Sequence, residues 1–381
     1  MDESKVIFLK KFTFISGLFI GIFFLYTITD PKNLEIKFEE LALGENITSH
    51  YGKVEKKTVH CADEYDIHIC LDDYSKFGKN KPVTLWLGNS QINAIEQFTK
   101  DQKTATMRLH KLASNHNQYV ISISQPNANL QEHFLLTSFL ISKIPIKYII
   151  LPVVLDDTRE DGLRYTLRYL LNDNQTKIII DQYSTGKNLL KNYESEVGTD
   201  NLNLKNNIKN YQEKSENYLN SKLENSWFLW SERGNLRGKL YIKLYKLRNF
   251  IFKINPSSTR KILPGLYLKN FQALDSIIKL AQENKIKILM YNVPIRNDVK
   301  IPYKIDDYSK FKSDLDYLSK KYLFKYINLE NIVPNNLWAE KTSTTLSNET
   351  EIDFMHFKEK GHEILAENIY FEIKKFWKDA N

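Results

Sequence analysis

Five short apolar runs, each closed by Gly, Pro or small polar residues, limit this chain more than any other feature. They are VTLWLGNS (83–90), YVISIS (119–124), KYIILPVVL (147–155), IKILMYNVP (286–294) and YLFKYINL (322–329). Continuous apolar runs of this length fit strands buried on both faces. The segments INAIEQFTK (92–100), LQEHFLLTSFLIS (130–142) and FQALDSIIKLAQENK (271–285) carry helical spacing. Strands alternating with helices predict an α/β chain whose parallel sheet is covered on both faces.

A longer run imposes a second constraint. Residues 12–29, FTFISGLFIGIFFLYTIT, are uncharged, and a helix of that length, at about 1.5 Å per residue, nearly crosses a bilayer's hydrocarbon core. We expect a transmembrane anchor there, with a buried core helix as the alternative. Lys5, Lys10 and Lys11 precede the run and Asp30 follows it. The positive-inside rule then puts residues 1–11 in the cytoplasm and the main domain outside it, periplasmic or on the cell surface. No small-x-small cleavage site follows, so the anchor reads as uncleaved.

Residues 30–80 are mixed and polar, which suggests a membrane-proximal stem, with a domain from 81 to 381 beyond it. In an extracytoplasmic setting Cys61 and Cys70 can pair as a disulfide. A zinc site with His60 and His68, or two free thiols, are the alternatives.

Between the third and fourth runs an insertion is expected at about 160–266, largely helical. Its first part, 188–225, is rich in Asn, Lys, Glu and Ser and reads as exposed. In its second part Leu236, Leu240, Leu244, Leu247 and Ile251 recur at helical spacing among Lys239, Lys243, Lys246 and Lys253. A basic amphipathic helix over 236–254 suits either a membrane surface or packing on the domain. The chain's net charge of +8 by itself admits nucleic acid, anionic lipid or acidic polymers. The expected anchor and the absence of a nucleic-acid motif argue against the first of these.

Two short motifs carry candidate chemistry. Gly88-Asn89-Ser90 closes the first strand ahead of a helix, so the serine's N–H would lie where orphan helical amides favour negative charge, as an acyl-transfer oxyanion requires. Asp353-Phe354-Met355-His356 precedes a segment in which Leu365, Ile369, Ile373 and Phe376 have helical spacing. This places Asp353 and His356 in the loop opening the last helix. A histidine near the serine can take its proton, and a carboxylate three residues earlier can orient the ring. In a doubly wound sheet both motifs fall at the carboxyl ends of strands, where substrates bind.

GNS after the first strand together with DFMHFKEKGH before the last helix resembles the SGNH/GDSL hydrolase superfamily. With the anchor, it looks like the membrane-anchored DltD-like, polysaccharide O-acetylation-like branch. The resemblance covers roughly 81–155 and 267–378. It implies a flavodoxin-like three-layer α/β/α fold, with Ser90 as nucleophile, His356 as general base and Asp353 as orienting acid. It further implies a serine esterase or O-acyltransferase acting on an envelope polymer or lipid-linked glycan, with a multi-pass membrane acyltransferase as a protein partner and no metal or organic cofactor. The alternative is a non-catalytic accessory protein of the same kind of pathway.

Departures from the family pattern concentrate around the oxyanion. Asn89 replaces the commoner Asp. Asn127, in QPNAN (125–129), stands where the family's second-block glycine would be. Asp157, in LDDTRE (155–160), stands where an asparagine is usual, and a carboxylate donates no hydrogen bond unless protonated. Arg159 and Arg164 are candidates for an anionic substrate group, or for pairing with Asp156, Asp157 and Glu160. Glu132 and His133 read as structural or surface residues.

Overall fold

In this computed structural model the described residues are 16–17, 48–49, 52–61, 64–78, 80–95, 101–204, 218–220, 222–223, 233–255, 257–342 and 350–378. In chain order the strands are β1 (Thr48–Ser49), β2 (Gly52–Val54), β3 (Lys57–Cys61), β4 (Val83–Gly88), β5 (Ala94–Ile95), β6 (Tyr119–Ser124), β7 (Ile146–Val153), β8 (Lys287–Asn292), β9 (Lys325–Asn328), β10 (Trp338–Thr342) and β11 (Thr350–Phe357). The α-helices are α1 (Glu64–Phe77), α2 (Ser90–Asn93), α3 (Ala105–Ser114), α4 (Leu130–Ile141), α5 (Asn174–Ile180), α6 (Ser184–Leu204), α7 (Arg233–Ile251), α8 (Pro264–Glu283), α9 (Ile305–Tyr322) and α10 (Glu359–Lys378).

Seven strands form one sheet in the order β2-β3-β6-β4-β7-β8-β9. Only the β2–β3 hairpin is antiparallel; every other pair is parallel. The five expected strands thus lie in the order second, first, third, fourth, fifth, which is the doubly wound order of flavodoxin-type sheets. The chain leaves β4 in one direction along the sheet through α3 to β6. It then returns past β4 through α4 to β7. Right-handed crossovers in opposite directions put α3 on one face and α4 on the other.

Polar contacts identify the neighbours on each face. On the first, Arg108 of α3 meets Glu359 at 2.6 Å and Glu363 at 3.2 Å on α10. On the second, the Leu130 N–H of α4 donates to Asn270 of α8 at 3.2 Å. Between the layers, Leu85, Leu87, Ile149, Ile150, Leu151 and Leu289 are closed to solvent, as the continuous apolar runs require.

Two units are distinguished. One combines Asn46–Asn203, Pro256–Lys341 and Thr350–Asn381, and holds the sheet; the other combines Met1–Glu45, Leu204–Asn255 and Thr342–Glu349. The separate stretch is therefore shorter than the expected insertion at 160–266. Its flanks belong to the sheet-bearing unit because Leu167, Leu170, Leu171, Ile180 and Leu189 are buried there, and Ser276 of α8 donates to Thr185 of α6 at 3.2 Å.

Several other expectations need correction. Within the stem expected over 30–80, residues 52–61 instead form the sheet's edge hairpin, and Glu64–Phe77 form α1. Next to the edge strand β2, β3 is short and half polar, so its apolar pattern was too weak to stand out, although Val59 and Cys61 are fully buried. The helix expected over 92–100 is a single turn, Ser90–Asn93, followed by the two residues of β5; residues 96–100 lie outside the described set. Residues 184–204, partly assigned to a polar exposed segment, are helical. The anchor at 12–29 lies outside the described residues except for 16–17, and among the described residues no helix is long and apolar enough to cross a membrane.

Candidate active site

The site begins at the carboxyl end of β4, where the sheet's connections reverse direction between β4 and β7. A doubly wound sheet opens a crevice at such a point. Gly88 permits the tight exit from the strand. A Cβ there would lie 2.1 Å from Ile92 Cδ1 and 2.9 Å from Ser124 Cβ, so any larger residue would push the turn away from the sheet.

Asn89 holds the turn from both ends of its side chain. Its Oδ1 accepts from the Gln91 N–H at 3.1 Å, and its Nδ2 donates to Asp157 Oδ1 and Oδ2 at 3.3 and 3.2 Å. Ser90 then opens the α2 turn, so its own N–H has no intrahelical acceptor.

The other half of the site is carried by β11, outside the main sheet and paired with β10. Asp353 and His356 were expected in a loop and lie instead on this strand. Residues three apart on a flat strand point to opposite faces. Here the Asp353 carboxylate reverses that, because Oδ1 accepts from the Met355 and His356 N–H groups at 2.8 and 3.0 Å. This Asx-type turn leaves Oδ2 facing the histidine ring. His356 Nδ1 lies 2.8 Å from Asp353 Oδ2, and His356 Nε2 lies 2.9 Å from Ser90 Oγ. A chain Asp353···His356···Ser90 follows, with Asp353 2% and His356 7% exposed.

Three ties hold β11 against the Ser90 turn. Gln91, fully buried, donates through Nε2 to the Pro294 carbonyl and to the Met355 carbonyl, both at 2.8 Å. The Arg296 N–H donates to the Phe354 carbonyl at 3.0 Å. Just beyond the strand, Glu359 at the start of α10 accepts from the Lys103 N–H at 3.0 Å and from Arg108 at 2.6 Å. Gln91 was missed in the sequence, because nothing local distinguishes a buried clamp from an exposed helix residue.

The remaining candidates fall in different places. Asp157 is buried in the turn after β7, and burial drives its carboxyl well above the usual carboxylate range; the nearby charges of Asp156 and Glu132 push the same way, while the Asn89 hydrogen bond opposes them. Asn127 is exposed, with φ of 53°, a conformation that Asn tolerates better than most residues other than Gly. Among the described residues no hydrogen bond joins Asn127 to the Ser90 turn.

Arg164 is bound rather than open: it grips the buried Glu132 through Nε at 2.8 Å and Nη2 at 2.9 Å, and donates to the Pro126 carbonyl at 3.0 Å. Asp156 pairs with Arg260 and accepts from the Tyr303 hydroxyl at 3.0 Å. Arg159 keeps a buried Nη1 without an acceptor among the described residues. Cys61 and Cys70 are joined by a disulfide. His60 Nε2 meets the Ser124 hydroxyl and His68 packs against Tyr169, with ring centroids 5.7 Å apart.

No known family pattern matches the chain, and no curated protein does so either. Among solved structures, the chain is similar to a provisionally assigned acylhydrolase from Bacteroides fragilis, with 9% identity, a TM-score of 0.36, and coverage of 81% of this chain and 97% of that one. It is also similar to a GDSL-like lipase from Bacteroides thetaiotaomicron, with 12% identity, a TM-score of 0.34, and coverage of 82% and 98%.

Proposed function

We propose that this protein is a serine esterase whose nucleophile is Ser90. The observation that carries the reading is the Ser90–His356–Asp353 hydrogen-bond chain, with links of 2.9 and 2.8 Å, at the switch point of a doubly wound sheet. In this reading His356 Nε2 takes the proton as Ser90 Oγ attacks an acyl carbonyl. Asp353 accepts from the Nδ1–H, which fixes the tautomer and offsets the imidazolium charge. The Ser90 N–H, opening a helical turn, is our candidate donor to the oxyanion. His356 then returns the proton to the leaving alcohol, and water, activated by the same ring, resolves the acyl-enzyme. A sugar hydroxyl in place of water would make the reaction an acyl transfer.

We further assign the substrate to an acylated envelope polymer or lipid-linked glycan outside the cytoplasm. The support is the uncharged run at 12–29 behind Lys5, Lys10 and Lys11, with the main domain following it. Arg159, whose Nη1 is buried without an acceptor among the described residues, is our candidate for an anionic group on that substrate.

Purified protein and its Ser90→Ala variant should be compared for hydrolysis of short-chain nitrophenyl esters and for labelling by a fluorophosphonate. Loss of both in a folded variant is expected; equal labelling of the two proteins would end the esterase reading. A second reading, a glycan-holding accessory protein that docks a membrane acyltransferase, draws on Asp157 standing where the resembled family has an amide donor. Polymer acylation that survives Ser90→Ala in cells would select it.

A further inference from the structure

The helix α7 and the three residues after it carry a charge pattern unlike the rest of the chain. Residues 233–254 contain seven Lys and Arg and no Asp or Glu, whereas the whole chain has a net charge of +8. The remainder is therefore nearly neutral, and the basic character belongs to this one stretch.

Its apolar residues face outward. Leu240, Leu244, Leu247 and Ile251 follow i, i+4, i+7 and i+11 spacing, which puts them on one stripe of a helix, and all four are exposed. Phe250 and Tyr241 widen the stripe, and Phe252, 70% exposed, and Ile254 continue it past the helix end. By the same periodicity Lys243 and Arg248 flank the stripe on either side. On the opposite side Asn249 is buried, and Ile242 and Tyr245 are half-buried. The apolar stripe is thus the more exposed side of the helix.

Bulky apolar residues exposed in this number on a soluble surface mark an interaction site. Cations at the margins of the stripe lie where headgroup phosphates would be when the stripe enters the acyl boundary. Tyr241 suits the same depth, since aromatic residues with a polar tip favour the interface. Arg248 is stacked on Tyr245, its guanidinium 4.5 Å from the ring centroid, which keeps its charge at the edge of the stripe. A groove on a protein partner would cover a narrower face and would need acidic walls. An anionic bilayer meets the wide stripe and the charge together.

We infer that residues 240–254 form an interfacial binding surface for anionic phospholipid, the helix lying in the membrane plane with Leu240, Leu244, Leu247 and Ile251 downward. This inference is independent of the role of Ser90.

The test uses the full chain, whose two cysteines are joined to each other, so that Leu247→Cys introduces a single reactive thiol. The variant is labelled with an environment-sensitive fluorophore and reconstituted into vesicles of phosphatidylcholine alone or with about one third phosphatidylglycerol. The N-terminal run is present in both samples, so a difference between them reports the helix. The expected result is a blue-shifted emission, quenched by spin-labelled lipid, only with phosphatidylglycerol. It should reverse at about 1 M salt, where the screening length falls to about 3 Å. Adding Lys243→Glu, Lys246→Glu and Arg248→Glu should reduce the quenched fraction at least tenfold, since each cation near an anionic surface contributes roughly a fivefold change in partitioning. Equal emission in the two vesicle types would overturn the inference. So would a blue shift with phosphatidylglycerol that spin-labelled lipid leaves unquenched, which would indicate a protein covering the stripe.

Discussion

Among the described residues, two serine–histidine pairs lie at the carboxyl ends of adjacent strands, and they differ in what surrounds them. Ser90 follows β4 and meets His356, which in turn meets the Asp353 carboxylate. Ser124 ends β6, opposite Gly88 in the ladder, and meets His60. The second pair is closed: Ser124 is 1% and His60 0% exposed. The first lies at the crevice, with Ser90 partly open to solvent. Proximity of a hydroxyl to an imidazole therefore does not by itself make a nucleophile. Access for an acyl group and a carboxylate that orients the ring must be added. The inner pair instead joins β3 to β6 and helps to fix the floor against which the Ser90 turn rests.

Exchanging the two serines gives the largest expected contrast. Ser90→Ala should bring ester turnover to the uncatalysed background, whereas Ser124→Ala should leave kcat within a few-fold. The latter should instead lower stability by about 1–3 kcal/mol, since a buried ring nitrogen loses its partner. Steady-state kinetics beside denaturant melts separate the outcomes, and comparable kinetic losses in the two variants would break the distinction. Next in size is Asp353→Asn, which should reduce kcat by roughly 10³- to 10⁴-fold, the scale seen when a triad carboxylate becomes an amide.

Gln91 sharpens the contrast from the supporting side. Gln91→Ala leaves two backbone carbonyls without the donor that clamps them, and should cost about 10- to 100-fold in kcat with KM little changed, because displacement of a catalytic group by about 1 Å has that effect. An unchanged kcat would mean that β11 is held well enough without it.

Two pH experiments give smaller effects. His133 is fully buried and its ring is held neutral, its pKa lowered by burial, and further by Arg164, to about 3. The unfolded chain takes up a proton near pH 6.5. The stability from this group is therefore complete above that pH and falls by at most about 1.4 kcal/mol per unit as pH drops toward 3. His133→Phe should flatten that part of a Tm-against-pH curve. Asp157 acts with the opposite sign. Burial raises its folded pKa, so stability is highest below the unfolded carboxylate value and declines as pH rises from about 4 toward the folded value. Asp157→Asn should remove that decline while keeping an acceptor for Asn89.

Local patterns made much of the fold legible. The runs at 83–90, 119–124, 147–155, 286–294 and 322–329 each mark a strand of the central sheet; the first four are buried on both faces and so must be largely apolar, while the last, at the sheet's edge, is only half-buried. Ser90 and the Asp353–His356 pair were visible as spacing motifs at a strand end and before a terminal helix. The hairpin β2–β3 was not visible, since β2 is only three residues long and β3, though buried, mixes Lys, Thr and His with its apolar residues. The strand conformation of β11 was also hidden, because its curl depends on the Asp353 carboxylate reaching back to two N–H groups.

What the sequence determined alone is whatever rests on periodicity over a few neighbouring residues: the alternation of strands and helices, the strand-end turn at Ser90, and the basic apolar stretch at 236–254. What only the tertiary structure decided is which polar groups meet across the chain: Asn89 with Asp157, Gln91 with Pro294 and Met355, and His60 with Ser124. The hydrophobic effect is non-directional and leaves a repeating local trace. A hydrogen bond is directional, pairs single atoms, and joins residues whose separation in sequence carries no signal.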